Sequence, residues 1–239
     1  MSSVDHGKAL TALLKRLKPR YEPAPPLKHE PMDELLLGVL MWEATRSKAE
    51  AALKRLRDAH VDDNDMRVTR PAQLAAIIGK TYPKVDERSA RLHAVLSDIY
   101  TREHTVSLER AMGMSKREAA KYIETLSGLP AYASARWQLI VLESHHVPVD
   151  DRMLARLIAT GVLEEGDDIA KATGVLERYI RHEDVLASYL LLQAWCEDPD
   201  AEPEKPAAKK TPGRSAADTG KARSPVKTPA KKAAARSGK

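Results

Sequence analysis

The stretch Leu126-Ser127-Gly128-Leu129-Pro130-Ala131-Tyr132-Ala133-Ser134, followed after a helix-length apolar run by Val147-Pro148-Val149-Asp150, decides how this chain is read. Gly128 is the residue type that a tight turn between two helices needs, because it reaches positive φ without a Cβ penalty. The backbone N–H groups after it, at Leu129 and Ala131, open the second helix at the positive end of its dipole, which suits them to an anion. The helix before the turn carries its own start signal: Ser115-Lys116-Arg117-Glu118 fits a capping box. That helix is predicted to run to about Leu126, the turn to occupy 127–130, and the second helix to run from Ala131 to about Ser144. Asp150 then precedes Arg152-Met153-Leu154-Ala155-Arg156-Leu157, where an aspartate is either an ordinary helix N-cap or a carboxylate aimed at whatever the turn holds.

Outward from this segment the chain reads as helix throughout. Apolar residues recur at three- and four-residue intervals in Leu10, Leu13, Leu14 and Leu17, in 35–40, in Leu92, Val95, Leu96 and Ile99, and in Leu186, Tyr189, Leu190 and Ala194. No period-two strand stands out. Five prolines between Pro19 and Pro31, a polar loop at Val61-Asp62-Asp63-Asn64-Asp65, and the pair Gly79 and Pro83 separate the helical runs. The fold class expected is all-α. Residues 1–30 are an N-terminal helix and Pro-rich connector, 31–200 the main helical domain in two lobes, and 201–239 a disordered tail.

Composition sets further limits. A 239-residue chain that is 43% hydrophobic can bury a substantial core. No run of eighteen apolar residues is present, so no membrane partner is expected, and the N-terminus lacks a secretory pattern, which places the protein inside the cell, in the cytoplasm or with the nucleoid. From Lys205 to Lys239 there are eleven Lys or Arg and one acid, Asp218, which leaves residues 1–204 with a net charge of −5 against +5 for the whole chain. The tail holds one large aliphatic residue, Val226, too little to offset its ordering entropy. Its spaced cations, Lys209, Lys210, Lys231 and Lys232 among them, suit a phosphate backbone, with a log–log salt slope of roughly −0.9 per contact. The tail resembles linker-histone tails in composition; the alternative is a solubilising extension.

The ordered matches from Ala9 to Asp198 resemble the helix-hairpin-helix DNA glycosylases, the endonuclease III superfamily. Leu13 to Tyr21 is similar to its first helix, Pro31 to Thr45 to its Pro-Phe-Asp segment and the stretch that follows, Glu87-Arg88-Ser89-Ala90 to its Lys-Ala helix start, and Leu126 to Ser134 to its hairpin. Val147-Pro148-Val149-Asp150 matches the Val-Asp that carries the catalytic aspartate. The resemblance implies double-stranded DNA as the partner, contacted by Gly128, Leu129 and Ala131, and hydrolysis of an N-glycosidic bond with Asp150 as the carboxylate. Asp151 is the runner-up, because the family's arginine five residues on matches Arg156 only when counted from Asp151.

The departures are as specific. Tyr132 stands where the family's nucleophilic lysine forms an imine with the sugar, so strand cleavage is not expected and base removal by water remains. Pro130 replaces the second hairpin glycine and removes one N–H. Cys196 is the only cysteine, so no four-cysteine iron–sulfur cluster, no metal and no other cofactor is expected. Trp42 and Glu43 stand where many members place a gap-filling glutamine; Trp42 is either a wedge in DNA or part of the core. His145-His146 lacks a third ligand at a metal-site spacing. Three readings follow: a base-only glycosylase acting as a monomer, a DNA-binding protein that has kept the fold and lost the reaction, and a helical scaffold or RNA-associated protein.

Overall fold

The structure is a computed structural model that describes residues 5–23, 25 and 29–201. Among these residues every regular element is helical: α1 His6–Leu17, α2 Pro31–Met41, α3 Arg46–Ala59, α4 Asp63–Val68, α5 Pro71–Ile78, α6 Val85–Glu103, α7 Glu109–Met112, α8 Lys116–Glu124, α9 Ala131–Val141, α10 Asp151–Ala159, α11 Ile169–Tyr179 and α12 Val185–Glu197. The starts follow local chemistry. Pro31 and Pro71 sit in the first turns of α2 and α5, where a missing N–H costs nothing. Side chains of Asp5, Asp62, Asp150 and Asp168 accept first-turn N–H groups of α1, α4, α10 and α11. The capping box at Ser115 and Glu118 forms as the sequence predicts.

Two hydrophobic cores make the two expected lobes. The first gathers Leu35, Leu36, Leu40, Leu92, Leu96, Ile99, Ile123 and Trp137 from α2 to α9. The second gathers Leu10, Leu13 and Leu17 of α1 with Leu139, Val147, Met153, Leu157, Leu176, Tyr189 and Leu192. Helix α9 contributes to both, Trp137 to one and Leu139 to the other, so the segment that leaves the hairpin is also the seam of the fold. The N-terminal helix packs on α11 and α12, completing the second core from the opposite end of the chain.

Three local expectations shift. Helix α9 stops at Val141 rather than near Ser144, because Glu143 turns left-handed and the Ser144 N–H reaches back to the Gln138 carbonyl. The acidic stretch at 61–65 is only half a loop: the Asp62 carboxylate accepts the Asp65 N–H and starts α4. On α12 the buried stripe is Val185, Ser188, Tyr189, Leu192 and Trp195, while Leu186 is 37% exposed. That helix is apolar nearly all round, so periodicity alone could not choose its inner face. The tail residues Lys209, Lys210, Lys231 and Lys232 lie outside the described residues.

Two glycines make a test of the hairpin. Gly128 has φ +82°, and a Cβ there would sit 2.8 Å from the Ala94 Cβ; Gly113 ends α7 at φ −81° with only ordinary contacts. Gly128→Ala is expected to lower stability by about 1–3 kcal/mol, from backbone strain plus the clash. Gly113→Ala is expected to be neutral or to stabilise by about 0.5 kcal/mol. Denaturant unfolding of both variants checks the contrast, and equal losses would mean that the turn geometry does not limit stability.

Candidate active site

Helix α6 is the brace against which the hairpin is built. Asp98 accepts the Ser127 N–H at 2.8 Å, and Arg102 donates both to Asp98 and to the Thr125 carbonyl. Arg91 donates to the Gly128 carbonyl at 3.1 Å. The close approach of Gly128 to Ala94 and to the Arg91 carbonyl is what excludes a side chain there. The Leu129 N–H closes the turn on Leu126 at 3.3 Å, so it is shared with the turn itself. Pro130 caps α9 without a side-chain bond, and no described residue accepts from the N–H groups of Ala131, Tyr132 and Ala133. These orphan donors carry the positive end of the α9 dipole.

Asp150 is 2% exposed and holds three parts of the chain together. One carboxylate oxygen caps α10 by accepting the Met153 N–H at 2.9 Å. The other accepts the Glu43 N–H at 3.1 Å and the Arg152 guanidinium at 2.9 and 3.0 Å. Arg152 donates in turn to the Ala44 carbonyl. Glu43 returns the contact: its carboxylate accepts the Asp151 N–H at 3.1 Å. The loop after α2 and the start of α10 are therefore cross-bonded in both directions. Burial, and behind it the charge of Asp150, raise the Glu43 carboxyl above its ordinary value, against the bond from the Asp151 N–H, which lowers it. Asp151, the runner-up, is the first residue of α10 and is exposed, so the structure separates the two aspartates into one inward and one outward. Arg156 makes no bond to either; it donates to the Trp195 carbonyl in the last turn of α12 and to the Asp198 carbonyl just after it.

Tyr132 is buried, and its hydroxyl lies 2.9 Å from that of Tyr189. Burial raises it well above the usual tyrosine value, with further contributions from Tyr189 and from the charge of Asp150, so it stays a neutral hydroxyl. Trp42 ends α2 and is half-buried, neither a core residue nor a free ring. Lys84, Arg91 and Arg88 lie 4.6, 5.0 and 5.7 Å from its ring centre. Arg88 is fully buried and donates to the carbonyls of Val39, Leu40, Trp42 and Pro83, so it closes the carbonyl end of α2.

Sequence reading missed Arg88, Arg91, Arg152 and Tyr189. Arg88, Arg152 and Tyr189 lie in the quoted stretches 87–90, 152–157 and 186–194 but carried no sign of these contacts there, and Arg91 lies in none. Elsewhere, burial and the charge of Asp150 push the Cys196 thiol up to about 12. Among the described residues no group of His, Cys, Asp or Glu is arranged to hold a metal. The two adjacent histidines diverge, His145 to the Ile180 carbonyl and His146 to Glu177 at 3.1 Å. Glu177 raises the His146 pKa above its ordinary value near 6.5. A raised histidine stabilises below its unfolded pKa and loses that contribution as pH climbs through the folded one. Stability is therefore expected to fall as pH rises from about 6 to 8, and His146→Gln to flatten that fall; an unaltered pH slope in thermal melts would refute it.

No protein-family model matches the chain, and no curated protein matches it by sequence. Solved structures do match by fold. An endonuclease III in a non-covalent complex with DNA superposes with a TM-score of 0.65 at 14% identity, covering 89% of this chain and 94% of that one. A thermostable thymine-DNA glycosylase gives 0.57 at 14% identity over 83% and 90%. The Helicobacter pylori 3-methyladenine DNA glycosylase bound to 1,N6-ethenoadenine gives 0.53 at 14% identity over 81% and 94%. The hairpin, the helix that follows it and the aspartate one helix later thus stand in an all-helical frame, and that frame is the fold of the helix-hairpin-helix DNA glycosylases.

Proposed function

We propose that this chain binds double-stranded DNA in base-excision repair and hydrolyses the N-glycosidic bond of a damaged or mismatched base without cutting the strand. The observation that carries the reading is that α2 packs along α9, the helix that opens on the hairpin and carries Tyr132, while the Glu43 N–H just past the end of α2 donates to the buried Asp150 carboxylate. An anion held by the orphan N–H groups at Ala131 would be a nucleotide's phosphate at the start of α9. As the C1′–N bond breaks, the electron pair leaves with the base and positive charge grows on the sugar. A buried carboxylate stabilises that charge, water adds to C1′, and the proton that the water loses ends on the departed base, leaving a C1′ hydroxyl. Tyr132 has no amine with which to form an imine, so the strand stays intact.

One observation favours a second reading, binding without catalysis. Both Asp150 oxygens are occupied, and Arg152 covers the one that faces Glu43. A reacting sugar or water must take the place of that guanidinium. The two readings are separated by single-turnover base release from duplexes containing uracil, mismatched thymine, mismatched adenine, oxidised pyrimidines or alkylated purines. Wild type is expected to leave alkali-labile sites in one of them, and Asp150→Asn to lose at least about a hundredfold in rate while still capping α10. Breaking the buried pair should cost Asp150→Asn about 1–3 kcal/mol of stability, so melts are read beside rates. Tight binding with no base released would select the second reading, and strand breaks without alkali would contradict the role given to Tyr132.

The tail enters the same reading as a phosphate-binding arm. Deleting residues 205–239 is expected to weaken binding at low salt and to make the salt slope shallower. The measurement is a salt titration of duplex affinity, and an unchanged slope would remove the tail from the DNA-binding surface.

A further inference from the structure

The connection from α9 to α10 delivers Asp150, and it is held from the side by α11. It leaves α9 through the left-handed Glu143 at φ +52°; the Ser144 N–H returns to the Gln138 carbonyl and the His146 N–H to that of Ser144. Val147 and Val149 are buried in the second core, which also holds Val175 and Leu176 of α11. One side chain of α11 gathers the polar groups that remain. A single Glu177 carboxylate oxygen accepts the Val147 N–H at 3.3 Å and the His146 Nδ1–H at 3.1 Å. Next to it the His145 ring donates to the Ile180 carbonyl at 2.9 Å and meets the His182 ring edge-on at 5.7 Å. The path from Val147 to Asp150 is short and stiff: Val147 and Val149 are buried, and Pro148 between them has a fixed φ. A displacement at Val147 is therefore passed on to Asp150 instead of being absorbed on the way.

We infer that Glu177 is a positioning residue for the proposed reaction: through His146 and the Val147 N–H it sets where the connection from α9 ends, and so where the Asp150 carboxylate meets the Glu43 and Met153 N–H groups. The inference rests on the glycosylase reading for its chemistry, while the placement of Asp150 is measurable without it. Placement matters, since a misplacement of about 1 Å can cost roughly a hundredfold in rate. The anchor also carries charge. The bond to Glu177, and behind it the charge of Glu124 at the end of α8, hold His146 above its ordinary value. Against burial, the bonds from His146 and the Val147 N–H hold the Glu177 carboxyl below its own, with the charge of His145 adding to them. The ionic part of the anchor is thus complete while His146 is protonated and is lost as pH rises through its folded pKa.

The test is amide hydrogen exchange on the full chain, read at Met153 and Glu43, whose N–H groups donate to Asp150, and at Ser127, held by Asp98 on the far side of the hairpin. Glu177→Ala is expected to speed exchange at Met153 and Glu43 by about tenfold or more and to leave Ser127 as it was. Glu177→Gln, which keeps an acceptor for Val147, should retain most of that protection. In wild type the protection, corrected for the intrinsic exchange rate, should fall as pH rises from about 6 to 8; in Glu177→Gln and His146→Gln it should stay level. If Glu177→Ala does not fold, the pH dependence in these two variants decides. Equal acceleration at Ser127 would mean a merely structural role, and unchanged exchange at Met153 and Glu43, or a pH dependence that survives in both glutamine variants, would equally overturn the inference. Single-turnover base release by Glu177→Ala is expected to slow roughly tenfold with duplex affinity unaltered. Base release from none of the duplexes by wild type would overturn the glycosylase reading alone, because the exchange pattern reports the anchor independently of it.

Discussion

The contact of α2 with α9 sets everything downstream. Gly38 lies so close to α9 that a Cβ on it would come within 3.2 Å of the Ala133 Cβ, and the buried Glu34–Arg136 ion pair crosses the same interface. Breaking such a pair by removing one partner costs about 3–5 kcal/mol, whereas replacing both with apolar groups is often neutral. Its contribution is therefore the register of two helices more than net stability. That register decides where α9 begins, and so where the hairpin and Tyr132 lie. It also decides where α2 ends, and so where Trp42 and Glu43 lie.

A second constraint is that one carboxylate does two jobs. Asp150 caps α10 and is the candidate catalytic group, and the cap, the Glu43 N–H and the Arg152 ion pair make its burial tolerable. Those partners fix its position. They also occupy the lone pairs that chemistry would use, so the stability of the α10 start and the openness of the site are opposed by construction.

Much of the fold was legible because its signals are local. The capping box at Ser115, the glycine at 128 and the interval to Asp150 each follow from short-range chemistry, and each is found where the sequence predicts. The misplaced stripe on α12 shows the limit: a helix apolar on every side does not declare its inner face. At the site, Asp150 was legible and its setting was not. Arg91 meets the hairpin from 37 residues away, and the Glu43 N–H meets Asp150 from 107 away. Such contacts exist only once α2, α6, α9 and α10 have packed. Glu43 is left-handed at φ +59°, a conformation that non-glycine residues adopt under tertiary constraint and that no residue type announces.

The chain contains no phenylalanine, and its buried rings consequently carry polar tips. Tyr82 donates to the Leu40 carbonyl, Trp137 to the Pro31 carbonyl, and Tyr132 meets Tyr189 hydroxyl to hydroxyl. A phenyl ring tolerates a helix that slides or rotates beneath it, since one apolar wall is much like another. A ring tethered at its tip does not, because a slipped helix would strand a donor in the core. The aromatic side chains thus act as dowels, each pinning its helix, or for Tyr82 the turn between α5 and α6, to a single carbonyl or hydroxyl on another helix, and misaligned packings are penalised one hydrogen bond at a time.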